Sequence, residues 1–112
     1  MATSRITIDV TTDENKVPVA MNWTAEDGGI SQQVASAMVL SMWNPKEHAA
    51  MRMDLWTKDM QVNEMDRFFF QTLRAMADTY FKATQNRELA VDMQKFVQYF
   101  GEKTQILKTG DS

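Results

Sequence analysis

The stretch MRMDLWTKDMQVNEMDRFFFQTL, residues 51–73, decides the fold. Within it the apolar period changes from two to about 3.6. Met51, Met53 and Leu55 alternate with Arg52, Asp54 and Trp56, the pattern of a strand over about Ala50 to Thr57. From Met65 onward the apolar residues fall at helical spacing. One strand therefore feeds one long helix.

The helix is predicted from about Val62 to about Thr84, with Met65, Phe68, Phe69, Thr72, Leu73, Met76 and Tyr80 as its inward stripe. A break over Ala83–Asn86 follows. Asn86 is placed to cap a third helix carrying Leu89, Met93, Phe96, Val97, Phe100, Thr104 and Leu107. Gly101 inside that helix costs roughly 1 kcal/mol against Ala, which marks a close helix–helix contact. On the N-terminal side, Ile6, Ile8 and Val10 alternate with polar residues, as do Val19, Met21 and Trp23. With the turn-rich Asp13-Glu14-Asn15-Lys16 between them, they read as a β-hairpin. After Asp27-Gly28-Gly29 a first helix is expected from about Ser31 to Met42. Its inner face is Val34, Ala37, Met38 and Ser41, with Ser31 as N-cap and Asn44-Pro45 as terminator.

The fold class that results is α+β, of order ββαβαα. A small antiparallel sheet packs against helices and the chain ends in a helical hairpin. At 112 residues the chain fits a single domain, 1–112, with an ordered core over 5–107 and a tail over 108–112.

Composition excludes much chemistry. The chain is 44% hydrophobic and 24% charged, with a net charge of -3. Residues 1–30 hold two basic and five acidic residues, and the remainder holds ten of each. There is no broad basic surface, so nucleic acid is not an expected partner. The absence of cysteine removes disulfides, thiolate metal sites and thiol nucleophiles. MATSRITIDV lacks the apolar core of a secretory signal, and no run approaches the about 20 apolar residues of a membrane span. The expectation is a cytoplasmic protein without direct membrane insertion.

Few residues carry candidate chemistry. His48 is the only histidine, so a His-based metal cluster is impossible, and it is expected to be solvated in a polar loop. Gly28-Gly29-Ile30-Ser31 precedes the expected first helix, but the lysine of a phosphate loop is missing. Ten methionines include Met51-x-Met53, which superficially resembles a thioether copper site. Their positions on apolar faces favour core filling. Asp78 is spaced to pair with Lys82 or Arg74 on a solvated helix face. No pair of carboxylates is placed for glycoside hydrolysis. No catalytic residue, cofactor or metal is therefore expected, and the chain is read as no enzyme.

Three aromatics fall off the expected core. Phe70 has Asp66 and Arg74 as its i±4 neighbours, Tyr99 has Lys95 and Lys103, and Trp56 points opposite Leu55. Trp56, Phe70 and Tyr99 form the candidate partner surface, and Phe69 is the core contrast.

One set of motifs goes further. Asn22-Trp23 with Asp27-Gly28-Gly29, then Ala37-Met38, Leu40-Ser41 and Trp43, lead to the block Asp54-Leu55-Trp56-Thr57-Lys58-Asp59-Met60. Glu64-Met65, Phe68-Phe69, Gln71-Thr72-Leu73, Ala77-Asp78-Thr79, Ala83-Thr84 and the Phe96…Phe100 helix follow. These residues, spread over about 5 to 107, resemble the GldC family of gliding-motility-associated proteins of gliding bacteria. The family often has a proline near Gln61, and this chain departs from it there. The resemblance implies a small cytoplasmic accessory protein that assists gliding. It brings no reaction, cofactor or site residues.

The expectation is thus a non-enzymatic accessory or adaptor protein that binds a component of the gliding machinery or self-associates. The alternative is a small ligand-binding or catalytic α+β domain with a pocket between sheet and long helices, beside Trp23 or Trp56.

Overall fold

A computed structural model describes residues 1–108. Of the expected tail over 108–112, residues 109–112 lie outside the described residues. The chain forms two compact units, Met1–Met60 and Gln61–Ser112.

The first unit is built mainly of strands. β1 (Ile6–Thr12), β2 (Pro18–Ala25) and β3 (Ile30–Ala35) form an antiparallel sheet in the order β1-β2-β3. Ile8 faces Trp23 and Val10 faces Met21, which in turn faces Ala35. Alternation therefore gathers Ile8, Val10, Met21, Trp23 and Ala35 on one face, and Met21 at its centre is buried. Asp13 shapes the β1–β2 turn: its Oδ1 accepts from the N–H groups of Asn15 at 2.8 Å and Val17 at 3.0 Å. A short 3-10 turn at Glu26–Gly28 leads into β3 through Gly29, whose φ of 73° suits glycine.

β4 (Ala37–Asn44) and β5 (Ala49–Trp56) make a second, two-stranded antiparallel sheet. Met38 faces Leu55, Leu40 faces Met53 and Met42 faces Met51. One face of this hairpin is thus apolar at all six of those positions. The other carries Trp56, Asp54, Arg52 and Ala50 against Ala37, Val39, Ser41 and Trp43.

This corrects the expected helix over Ser31–Met42, and the single sheet becomes two. The spacing Val34, Ala37, Met38, Ser41 is compatible with a helix. The same segment also alternates, with Met38, Leu40 and Met42 in one phase. Cross-strand partners decide between two such readings, because strand preference is largely packing against neighbours. Met51, Met53 and Leu55 supply those partners. The glycine loop consequently does not precede a helix.

The second unit is the helical hairpin, α1 (Val62–Thr84) and α2 (Arg87–Lys103). α1 begins at Val62 without the proline. Glu64 Oε1 accepts the Gln61 N–H at 3.0 Å, half of a reciprocal capping box. Gln85, with φ of 61°, ends the helix and donates its N–H to the Phe81 carbonyl at 2.8 Å. Asn86 caps α2 as expected, its Oδ1 accepting from Leu89 N at 3.0 Å.

The buried seam of the hairpin is Phe70 and Ala77 on α1 and Ala90, Val97 and Gly101 on α2. The seven-residue steps 70–77 and 90–97 are those of two helices lying side by side. A Cβ placed on Gly101 would come within 2.7 Å of Phe70 Cε1 and of Leu107 Cδ1. Gly101 therefore marks the close contact expected of it.

Candidate functional site

The Asp54–Met60 block, the strongest motif of the sequence, turns out to be a clasp within the first unit. Thr57 is 3% exposed. Its N–H donates to the Ser36 carbonyl at 2.9 Å, and its hydroxyl donates to Asp59 Oδ1 at 2.7 Å. The next residue reaches the other sheet: Lys58 N donates to the Pro18 carbonyl at 3.1 Å and Lys58 Nζ to Asp13 Oδ2 at 3.1 Å. The block therefore ties the end of β5 to the β1–β2 turn and to the β3–β4 junction. The backbone N–H of Val17, then the Lys58 ammonium, hold the Asp13 carboxyl below its ordinary value.

Of the three aromatics expected on a partner surface, two are exposed and one is not. Trp56 is 54% and Tyr99 55% exposed. Phe70 is 6% exposed, and its place on a partner surface is corrected. Charged i±4 neighbours misled because Arg74 does not draw the face into water. Its guanidinium sits 5.3 Å from the centre of the Phe70 ring, a cation–π contact that covers the ring face. The contrast residue moves the other way. Phe69, expected in the core, is 42% exposed with its ring edge-on to Phe68.

The methionines are likewise not all core filling. Met42, Met51 and Met53 are exposed on the β4–β5 face, and Met76 is exposed on α1. Two thioethers on an open strand face do not make an enclosed copper site. Among the described residues no group of three or more His, Cys, Asp or Glu side chains is placed to hold a metal ion. His48 is exposed in the β4–β5 turn, edge-on to Trp43. Asp78 accepts from Gln94 Nε2 at 3.0 Å, so it bridges α1 to α2 and not to a neighbour on its own helix.

Among the concavities of the described residues, an open hollow of about 400 Å³ lies at Met42, Trp43, Pro45 and Met51 on the β4–β5 hairpin, and two others bear on the expected sites. Beside Trp23 a cavity of about 140 Å³ is lined by Ile8, Met21, Ala35 and Met38 among others. That is below the 300–1,000 Å³ range of ligand pockets. On the hairpin an open groove of about 360 Å³ runs between Leu73 and Met76 of α1 and Leu89, Met93 and Phe96 of α2, with Asp92 at its polar edge. Phe96 packs against Tyr99 at 6.2 Å and against Phe100 at 6.3 Å between ring centroids, extending this apolar strip along α2. Leu89, Phe96 and Met76 were the residues missed as surface. The available signal was width: each helix carries a broader apolar stripe than one seam with a single neighbour covers.

The family model described as "Gliding motility-associated protein GldC-like" matches residues 18–106. The chain belongs to the GldC-like family. No curated protein and no solved structure matches it. The match spans both units and includes the clasp block, the hairpin seam and the exposed strip on α2. Among the described residues, no helix is long and apolar enough to cross a membrane.

Proposed function

We propose that this GldC-like protein is a non-enzymatic, cytoplasmic accessory protein of bacterial gliding that works by binding a protein component of the motility machinery. The observation that carries the reading is the apolar groove between α1 and α2, with exposed Met76, Leu89 and Phe96 on it and Tyr99 beside it. Contiguous apolar surface bordered by charge is characteristic of protein interaction sites. Asp92 borders the groove, and Lys95 and Lys103 flank Tyr99 in the helical sequence. Aromatics so framed are the usual anchors of binding energy. Trp56 offers a second exposed aromatic, on the first unit.

The alternative of a small-molecule site beside Trp23 gains little support. The cavity beside Trp23 is too small for most ligands and is lined chiefly by apolar side chains.

The test uses Phe96→Ser and Tyr99→Ser in the full chain, expressed in a gliding bacterium in place of the wild-type gene. In-cell photo-crosslinking from position 92, at the groove edge, reports the partner. The reading expects both variants to accumulate normally, to lose the cross-linked partner and to glide poorly. Unchanged cross-linking and unchanged gliding in both variants would remove the groove from the function.

A further inference from the structure

The open edge of β5 supports an inference that does not depend on the adaptor reading. Among the described residues β5 pairs only with β4, so its other edge presents N–H and C=O groups that no strand there pairs. Edge strands are normally blunted by proline, lysine or a bulge. The β1–β2 and β2–β3 ladders both contain register shifts. The β4–β5 ladder runs through eight-residue strands with none, and Ala49–Trp56 holds no proline, glycine or lysine. Every residue of β5 except Leu55 is exposed. A two-stranded sheet is marginal in water by itself, so this hairpin gains most from further strands.

The phase of the edge follows from one hydrogen bond. Thr57 N donates to the Ser36 carbonyl, so the backbone groups of Thr57 turn toward β4. Alternation turns those of Leu55, Met53 and Met51 the same way. Ala50, Arg52, Asp54 and Trp56 therefore present their backbone groups to the open edge.

We propose that this edge binds the same edge of a second copy of the chain, antiparallel about a two-fold axis at Met53. Charge selects the register. With the axis at Met53, Arg52 of each copy lies opposite Asp54 of the other, Ala50 opposite Trp56, and Met51 opposite Leu55. All the outward-facing residues then form hydrogen-bonded pairs. An axis at Arg52 would set arginine against arginine, and one at Asp54 aspartate against aspartate, arrangements that destabilise a sheet. Axes farther along shorten the overlap. Within one copy, Arg52 Nε and Asp54 Oδ2 lie 3.3 Å apart along the strand, both largely exposed. That exposed pair contributes little. Across the two-fold axis the same groups become four alternating charges that specify the pairing. The product is a sheet of order β4-β5-β5-β4 whose apolar face joins Met38, Leu40, Met42, Met51, Met53 and Leu55 of both copies.

The cysteine-free sequence allows a direct test on the full chain. Met53→Cys adds the sole thiol. Residues facing each other in a non-hydrogen-bonded antiparallel pair have Cα atoms about 4.5 Å apart, inside the roughly 4.4–6.8 Å that a disulfide spans. Mild oxidation should give a reducible covalent dimer from Met53→Cys. Met51→Cys and Leu55→Cys should each stay monomeric on a denaturing gel, and should cross-link when mixed. In sedimentation velocity without cysteines, Arg52→Glu should raise the dimer dissociation constant about tenfold or more by setting acids against Asp54. The swap Arg52→Glu/Asp54→Arg should restore it. Three results would overturn the proposal: a wild-type chain monomeric at every concentration, cross-linking through Leu40→Cys of β4 in place of Met53→Cys, or indifference to the charge reversal. Loss of partner cross-linking on Phe96→Ser in a chain shown to be monomeric would leave the adaptor reading standing while this proposal fails.

Discussion

Phe70 lies against Gly101 with the Arg74 guanidinium over its ring, so its removal opens a hole in the hairpin seam. Phe70→Ala should cost about 3–5 kcal/mol of stability. Phe69→Ala, one residue away but 42% exposed, should cost about 1–2 kcal/mol, since a half-exposed ring has less burial to lose. Urea denaturation of the two variants checks the order, and the reverse order would place Phe69 in the core. Asp13 has a sign that can be worked out. Its carboxyl is held below the ordinary value of 3.8 by the Val17 N–H and by Lys58. Its charged form therefore stabilises the fold fully above that value, and the contribution disappears as pH falls through the lowered one. Asp13→Asn keeps an acceptor for the turn and loses the charge. The wild type should be the more stable at pH 7, and the difference should shrink below about pH 4. A gap that stayed constant down to pH 2 would deny Asp13 that role.

Among the elements, the helices were the most legible. The helix expected over about Val62 to Thr84 spans those residues, because its apolar stripe, the break over Ala83–Asn86 and the cap at Asn86 are local chemistry. The seam between the helices was less legible. Large residues mark an apolar stripe, yet the contact is made by Ala77, Ala90 and Gly101, whose small size lets the helices approach. Gly101→Ala tests that approach. The added methyl meets Phe70 and Leu107 at 2.7 Å, and overpacking of this kind costs about 1–3 kcal/mol. That outweighs the gain of up to about 1 kcal/mol from better helix propensity. A net loss of thermal stability is expected, and a gain would show the seam to be looser than described. The segment Ile30–Asn44 was illegible for a different reason. Its apolar residues satisfy periods of both two and 3.6, and the choice is made by strands elsewhere in the chain: β2 pairs with Ile30–Ala35 and residues 49–56 pair with Ala37–Asn44.

Across the whole molecule, the apolar residues outnumber the places that bury them. Met42, Met51 and Met53 stand open on the β4–β5 face, and Met76, Leu89, Phe96 and Tyr99 stand open on the helices. Charged neighbours marked Trp56 and Tyr99, which are exposed, but marked buried Phe70 equally, so that signal alone does not separate surface from seam. Phe96 was not legible as surface, because from sequence an apolar residue at helical spacing looks the same whether it faces a seam or a partner. The clasp block was legible as a motif but not as a structural device, since its partners Ser36, Pro18 and Asp13 come from earlier turns and junctions. Surface accounts of this kind are decided by function at constant stability. The most direct measurement is gliding speed in cells carrying Phe96→Ser, with the protein's abundance and melting temperature determined alongside. The account predicts near-normal abundance, a melting temperature close to wild type and gliding reduced to the level of the gene deletion. Gliding at wild-type speed with the variant protein folded and abundant would contradict it.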